Sequence, residues 1–330
     1  RRLFINMLII KDLHEIAVLV LLAVLFSTID LAAQQAQVEQ SQRFRTDALP
    51  RLDPTDSDDA EDSAYYDSPD TPGDSDLGDQ LLLFKESPYN PFLVGASFTV
   101  THTNNVLLVD VNANDDRYVT YEGFVNYNPK FHDRLYGNFG YRHQFFHYEE
   151  NGQLNFDSQT ITAGLSTPIP ELWNILFYAN YSYNRLTFAK GNAAGDALTE
   201  FYRSHAATTG IYKTIPFSRA HYMYFGPSGK WALTDPFTVA RDEYSMLFGY
   251  NVDITRWFSA NLSHITTFHD YKSLDRDDIN QTLSGVLTVS PWTWLDISML
   301  TSYGTNNSTN EALNYEFFNI GGQVKASYQF

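Results

Sequence analysis

The sequence predicts an all-β fold: a transmembrane, antiparallel, up-and-down β-barrel of about 12 strands. From Phe92 onward, segments with alternating apolar and polar side chains recur. The connections between them are alternately short and long, and the last segment, 316–330, alternates over its whole length. Because successive residues of a strand point to opposite faces, this alternation gives each strand one apolar and one polar face. Segments of about ten residues also suffice to cross a bilayer at a tilt.

The composition agrees with a membrane barrel and excludes several other classes. Of 330 residues, 43% are hydrophobic and 15% aromatic, with 22 Tyr and 24 Phe. The apolar side chains are dispersed by alternation and not collected in long runs, which is typical of strands that cross membranes. The lack of cysteine excludes disulfides and cysteine–zinc sites. A net charge of -17 argues against a nucleic-acid partner.

Residues 1–33 predict a signal peptide. The only continuous apolar run, 16–26, is too short for a membrane-spanning helix and suits a signal-peptide core. Three Lys or Arg residues precede this run, and Leu-Ala-Ala at 31–33 offers small residues for cleavage. We therefore expect the mature chain to begin near Gln34. A buried helix is the alternative.

Residues 34–87 predict a disordered, acidic periplasmic segment. Eleven Asp or Glu residues between 53 and 79 are interleaved with Ser, Pro and Gly, with almost no apolar periodicity. Such a segment buries too little surface to offset its ordering entropy. Two alternatives stay open: the segment, with the short apolar stretch 81–84, enters the barrel as a plug, or it docks a periplasmic partner.

Residues 88–330 predict the barrel itself. The twelve candidate strands are 92–102, 118–128, 134–148, 156–167, 173–188, 201–214, 219–233, 243–254, 257–271, 279–290, 295–306 and 315–330. The short connections are 129–133, 168–172, 215–218, 255–256 and 291–294, and four of these five contain proline, which ends strands. An even strand number with short and long connections in alternation is typical of periplasmic turns opposite extracellular loops.

The alternation also predicts which face meets lipid. On one strand the outward set is Met246, Phe248, Tyr250, Val252 and Ile254, and on another it is Phe177, Ala179, Tyr181 and Tyr183. Four tryptophans fall at the short-turn ends, where an interfacial aromatic belt is expected: Trp173, Trp257, Trp292 and Trp294.

The last strand carries a family resemblance. Tyr328, Gln329 and Phe330 form an aromatic-x-Phe ending, and Gln323 occupies a polar position before it, whereas Lys325 stands where glycine is usual. This pattern resembles the C-terminal assembly signal of bacterial outer-membrane β-barrels. The whole chain resembles porin-like proteins in architecture. The resemblance implies location in the outer membrane of a Gram-negative-type bacterium, with outer-membrane lipid and the barrel-assembly machinery as partners.

Polar inward positions are the candidates for a pore lining. They are Glu122, Asn126, Arg142, Gln144, Asn180, Asn251, Asp253, Asp296, Gln323 and Lys325. Their mixed charges favour an aqueous channel for small polar solutes over a single-sign ion filter. Acidic residues in the long connections, such as Asp110, Glu149 and Asp275, favour a weak cation preference. The alternative is that the interior side chains pair with one another and fill the lumen.

Candidates for catalysis are weak. Ser263–His264 and Ser204–His205 are neighbours on strands, so their side chains point to opposite faces. His264, His269 and Asp270 fall near an extracellular rim, as do His143 and His147, so a catalytic or metal cluster there is a further possibility. We expect no enzyme activity, no cofactor and no metal. A non-conducting structural barrel is the first alternative function, and an outer-membrane hydrolase is the second.

Overall fold

A computed structural model describes Val38 and residues 89–189, 198–218 and 220–330. The predicted signal peptide, 1–33, lies outside these residues, as does the acidic segment 34–87 apart from Val38. The described chain forms one antiparallel sheet. Its strands are β1 (Phe92–Thr103), β2 (Asp116–Tyr127), β3 (Lys130–His132), β4 (Leu135–Tyr148), β5 (Phe156–Ile169), β6 (Ile175–Ala189), β7 (Leu198–Pro216), β8 (His221–Asp235), β9 (Arg241–Thr255), β10 (Phe258–Tyr271), β11 (Asp277–Trp292), β12 (Leu295–Ser308) and β13 (Tyr315–Gln329).

The sheet closes on itself. The first strand pairs with the last in continuous register from Leu93↔Gln329 to Thr103↔Asn319, and every other strand pairs with its sequence neighbour. Strand β2 also pairs directly with β4, so the three-residue β3 stands outside the ring. Of the thirteen strands in the described chain, twelve therefore form the wall. The predicted antiparallel barrel of about 12 strands is confirmed.

Several predicted strand ends are wrong by a few residues. Strand β7 begins at Leu198 and not at 201, and β3 lies within a predicted connection. Three prolines predicted to lie in the connections are instead the last or next-to-last residues of strands β5, β7 and β11: Pro168, Pro216 and Pro291. The reason is that ladder hydrogen bonds continue after side-chain alternation fades, and proline is tolerated where a strand leaves the ladder.

The outward face of the barrel is an apolar band. Large side chains on this face are about half exposed, as for Tyr121 at 52% and Leu262 at 54%. Phe177, Tyr181, Phe248 and Tyr250 also lie on it, as the alternation predicted. A continuous exposed apolar surface of this extent is unusual in water and is the face that a transmembrane barrel presents to lipid.

The two mouths of the barrel differ. The predicted belt tryptophans, Trp173, Trp257, Trp292 and Trp294, are exposed at the short-turn end. The opposite, long-loop end carries the 3₁₀ turns Gly152–Leu154, Phe237–Val239 and Glu311–Leu313, whereas Pro170–Leu172 lies in a short turn. Within the described ranges, no helix has both the length and the apolarity needed to span a membrane.

Candidate pore interior

One group of predicted interior residues forms a connected charged patch. Register places Lys325 opposite Ser97, Ser97 opposite Glu122, and Glu122 opposite Gln144, so these side chains share one inward row. The Arg142 Nη1 atom lies 3.1 Å from Glu122 Oε1, and Gln144 Nε2 donates to Glu122 Oε2 at 2.9 Å. Both charged side chains of this ion pair are largely buried, at 12% and 9% exposure. The pair is therefore held against the wall.

The same patch contains a cation–aromatic contact. The ring of Phe124 has the Arg142 guanidinium carbon 5.5 Å from its centroid and the Lys325 Nζ atom 5.7 Å from it. Phe124 itself is buried, at 2% exposure. The faces of aromatic rings attract cations, and this attraction strengthens away from water. The ring consequently orients two of the predicted lumen cations.

The other predicted interior residues are more widely spread. Ser290 Oγ donates to Asp296 Oδ1 at 2.6 Å, and Gln323 Nε2 donates to Thr99 Oγ1 at 3.0 Å. Asn251 Nδ2 donates to Asp253 Oδ1 at 3.2 Å. Asn126 and Asn180 lie on inward positions opposite glycines, on the rows Asn126↔Gly140 and Gly164↔Asn180. All ten candidates thus occupy inward-facing positions, and their lining of a conducting pore stays a prediction.

A second charged group was missed by the sequence analysis. Lys230, Glu243 and His269 are opposed across three neighbouring strands. Lys230 Nζ lies 3.1 Å from Glu243 Oε1, and Arg241 Nε lies 3.0 Å from the same oxygen. The Glu243 carboxylate therefore holds two cations on the inner wall. Each strand alternates here, so a search for inward polar residues on β8 to β10 would have found them.

The second charged group continues toward the long-loop mouth. Register places His269 opposite Asp278, and the Arg276 guanidinium forms an ion pair with Asp278. The Arg276 guanidinium carbon lies 4.3 Å from the centroid of the Tyr271 ring, and that of Arg241 lies 5.7 Å from it. Two guanidinium groups thus share one aromatic ring at this mouth.

Glycines on the inner wall face aromatic side chains. In four directly opposed pairs the glycine lies beneath the ring: Gly95↔Phe124, Gly210↔Tyr178, Gly249↔Tyr224 and Gly304↔Phe317. A Cβ atom added at Gly249 would lie 2.0 Å from Tyr224 Cζ. Such pairing covers glycines in sheets. Here it also lets large rings lie along the wall of the barrel.

Two apolar clusters border the polar rows. Near the short-turn end, Leu176, Tyr212 and Tyr224 pack together, with Tyr178, Tyr222 and Leu247 against them. At the long-loop end lies a larger cluster, called here the outer-mouth cluster. Its buried barrel members are Val106, Tyr118, Phe146, Tyr148, Leu154, Phe156, Leu186, Tyr202 and Val239. The inner wall is therefore polar between two aromatic zones.

The candidate catalytic residues do not form a cluster. Burial follows the alternation: Ser204 is buried whereas His205 is exposed on the opposite face. The His205 Nδ1 atom lies 2.7 Å from the hydroxyl oxygen of Tyr181, and the Tyr181 side chain is also on the outward face. His269 is inward and buried, whereas the neighbouring Asp270 is exposed. Among the residues for which positions are given, no group of three or more His, Asp or Glu side chains is arranged to hold a metal ion.

Comparisons with known proteins find similarity only in solved structures. No protein-family model matches the sequence, and no curated protein matches it. An outer-membrane channel from Pseudomonas putida is similar over 74% of this chain and 97% of that one, with 12% identity and a TM-score of 0.49. The translocator domain of the autotransporter NalP from Neisseria meningitidis is similar over 74% and 90%, with 11% identity and a TM-score of 0.41.

The outer-membrane protein OmpT of Vibrio cholerae is similar over 72% of this chain and 96% of its own length, with 9% identity and a TM-score of 0.39.

The class of the protein follows from its own geometry. Its wall is closed, antiparallel and built of twelve strands, apolar outside and polar inside, with tryptophans at one rim. This is the construction of bacterial outer-membrane β-barrels. By architecture, the chain is an outer-membrane β-barrel.

Proposed function

We propose that the barrel is a porin-like channel for passive diffusion of small polar solutes across the outer membrane. The observation that supports this most is the polar inner wall of the closed twelve-stranded ring, on which side chains such as Asn126, Gln323 and Lys325 face inward. A polar interior of this kind is typical of barrels that hold a water-filled channel. Outer-membrane lipid and the barrel-assembly machinery are proposed as its other partners.

Selectivity is proposed to be weak, with a cation preference arising at the mouth. Asp110, Asp115, Glu149, Glu150 and Asp275 are exposed in the long connections. Acidic groups at a mouth raise the local cation concentration, and salt screens the effect over about 10 Å at 0.1 M.

Two further acidic residues near this mouth do not add to that exposed charge. Asp116 is buried and accepts backbone N–H bonds from Glu150 and Asn151, and Asp278 is buried beside Arg276. The inward-facing side chains carry both positive and negative charges. We therefore expect a modest preference for cations.

Planar-bilayer recordings of the purified protein test this function. Stepwise conductance is expected, with a reversal potential across a KCl gradient that indicates cation preference at low salt and fades at high salt. Anion preference at low salt would contradict the charge argument. Absence of conductance would refute the channel.

A non-conducting structural barrel is the second candidate. The observation in its favour is the extent of pairing among interior side chains, such as Arg142 with Glu122 and Ser290 with Asp296. If these side chains fill the lumen, the same recordings will show no current.

A further inference from the structure

A row of polar side chains crosses the outward face of the barrel near the long-loop mouth. Register opposes each member to the next across five neighbouring strands, β4 to β8, and the members are His143, Gln159, Arg185, Arg203 and Asp235. The next outward row toward the short-turn end contains Ile161 and Leu233, which are 49% and 63% exposed and belong to the apolar band. The polar row therefore lies where the apolar band ends on β6 to β8.

The height of Arg185 above the short-turn rim matches the thickness of a membrane. Strand β6 begins at Ile175, close to the exposed rim residue Trp173, and Arg185 is ten residues further along. At about 3.3 Å per residue and a tilt of about 40°, this distance is about 25 Å along the barrel axis. The apolar band of an outer-membrane barrel is also about 25 Å tall. Arg185 and the opposed Arg203 therefore lie at the level where the headgroups of the outer leaflet begin.

Two guanidinium groups meet on this row and share one carboxylate. Arg185 and Arg203 are directly opposed, and like charges in this arrangement are unfavourable without a counter-charge. A register shift after Leu186 opposes Glu200 to Thr187. The Glu200 carboxylate then reaches both arginines, with Oε2 2.7 Å from Arg185 Nε and Oε1 3.8 Å from Arg203 Nε. Glu200 therefore holds the two guanidinium groups side by side.

Both arginines keep the capacity to bind a further anion. Their side chains are 37% and 44% exposed. The second partner of Arg203, Asp235, is 69% exposed, and an ion pair of this kind contributes little to stability. A guanidinium group has five N–H donors, whereas these ion pairs engage one nitrogen of Arg185 and two of Arg203. Phosphate suits the remaining donors, because guanidinium groups bind it in a bidentate manner.

The outward face near the same mouth is acidic on β9 to β11. Asp242 is opposed to Asp270, and Asp270 is opposed to Asp277. The nearby Lys272 is paired with Asp242, at 2.7 Å between Nζ and Oδ1. A row of three carboxylates repels an anionic headgroup, whereas the opposed arginines attract one. We therefore expect a phosphate contact at β6 and β7 and not at β9 to β11.

We propose that Arg185 and Arg203 bind a phosphate group of a phosphorylated glycolipid in the outer leaflet of the outer membrane. The acyl chains of the lipid lie on the apolar band below the row, and the phosphate contacts the two guanidinium groups. Glu200 is a positioning residue, since it holds the arginines together without contacting the lipid. The site lies outside the lumen, so the proposal needs the membrane barrel but does not need the barrel to conduct.

Native mass spectrometry of the purified protein in detergent tests this site. The probes are bisphosphorylated lipid A and its dephosphorylated form, each added to wild type and to the double variant Arg185→Gln/Arg203→Gln. We expect wild type to retain the phosphorylated lipid. The double variant should bind it at least about tenfold more weakly, because hydrogen bonds between charged groups are lost. Equal binding by the double variant, or equal retention of the dephosphorylated lipid by wild type, would overturn the proposal.

Arg134→Gln is the matched control. Arg134 is also an exposed arginine paired with a carboxylate, Glu171, but it lies at a short turn. Its replacement should leave lipid binding unchanged, and a loss as large as that of the double variant would mean that the lipid responds only to net charge. Free inorganic phosphate at millimolar concentration should not displace the lipid. Full displacement would assign the two arginines to a soluble anion and contradict the lipid site.

A second variant keeps the test decisive if the double glutamine variant does not fold, which heat-modifiable migration in electrophoresis reveals. Arg185→Lys/Arg203→Lys keeps both charges but lacks the planar fork that binds phosphate in a bidentate manner. We expect this variant to bind the phosphorylated lipid several-fold more weakly than wild type. Wild-type affinity would refute the bidentate contact. Bilayer recordings of conductance are independent of this result, because the site lies on the outer face of the wall.

Discussion

At the scale of single residues, the ion pairs of the barrel differ widely in burial. The Glu122–Arg142 pair is nearly covered, whereas Arg134–Glu171, at a short turn, is more than half exposed on both sides. Backbone and Arg134 hydrogen bonds hold the pKa of Glu171 below its ordinary value. Removing one partner of a buried pair leaves a charge without compensation, whereas an exposed pair is replaced by water.

Replacement of Arg142 should therefore be far more costly than replacement of Arg134. We expect Arg142→Met to lower the free energy of unfolding by about 3–5 kcal/mol, and Arg134→Met to change it by about 1 kcal/mol or less. Urea unfolding of the refolded barrel, followed by tryptophan fluorescence, measures both values. Adding Glu122→Gln to Arg142→Met should recover much of the loss. Equal effects of the two single changes would show that the pair at Glu122 is solvated.

At the scale of elements, neighbouring strands are fitted by glycines that lie beneath aromatic rings. The register that opposes Gly249 to Tyr224 on the inner face leaves no room for a methyl group at Gly249. Gly123, on the outward face of β2, has open space where its Cβ would be. The same residue type thus has two roles, set by the face on which it lies.

An alanine at each of these glycines should separate the two roles. Gly249→Ala is expected to destabilise the barrel by about 1–3 kcal/mol, because the Tyr224 ring must move off the wall. Gly123→Ala should be neutral. Urea unfolding checks both, and adding Tyr224→Ala should relieve the overpacking in Gly249→Ala. A neutral Gly249→Ala would mean that the ring does not cover the glycine.

At the scale of the whole molecule, the barrel depends on a seam between the two ends of the described chain. Phe330 N donates to the Phe92 carbonyl at 2.9 Å, and Phe92 N donates to the Phe330 carbonyl at 3.0 Å. The two rings stack with centroids 5.6 Å apart. Phe330 therefore extends the β1–β13 seam by one further pair, in addition to its predicted role in the assembly signal with Gln323 and Tyr328.

Changing Phe330 to aspartate should sharply reduce membrane insertion. The carboxylate would replace an aromatic ring on the outward face and remove the stacking across the seam, whereas Phe330→Tyr keeps both features. The amount of folded, heat-modifiable protein in the outer-membrane fraction measures the effect, with Phe330→Tyr as the control. Wild-type insertion of Phe330→Asp would show that neither the seam nor the signal needs the aromatic ring.

The sequence by itself determined the barrel class, the strand number and the two faces of each strand. These features follow from a local property: side chains alternate along a strand whatever its partner is. Tyr250 and Asn251, for example, could be assigned to opposite faces from their neighbours alone, and the structure places them so. The alternation of short, mostly proline-containing connections with long ones likewise indicated that all short turns would lie at one mouth of the barrel and all long loops at the other. Strand ends were less certain, since backbone pairing continues past the alternating residues.

Only the tertiary structure decided which residues meet across the wall. Glu243 shares an inward row with Lys230 and His269 because of the register between three strands, and that register is not encoded in any one of them. The stacking of Arg241 and Arg276 on Tyr271 likewise requires the closed sheet. The contact of Val38 with the outer-mouth cluster joins residues far apart in the chain. Alternation fixes the face of a side chain, whereas register, closure and the path of the chain fix its neighbours.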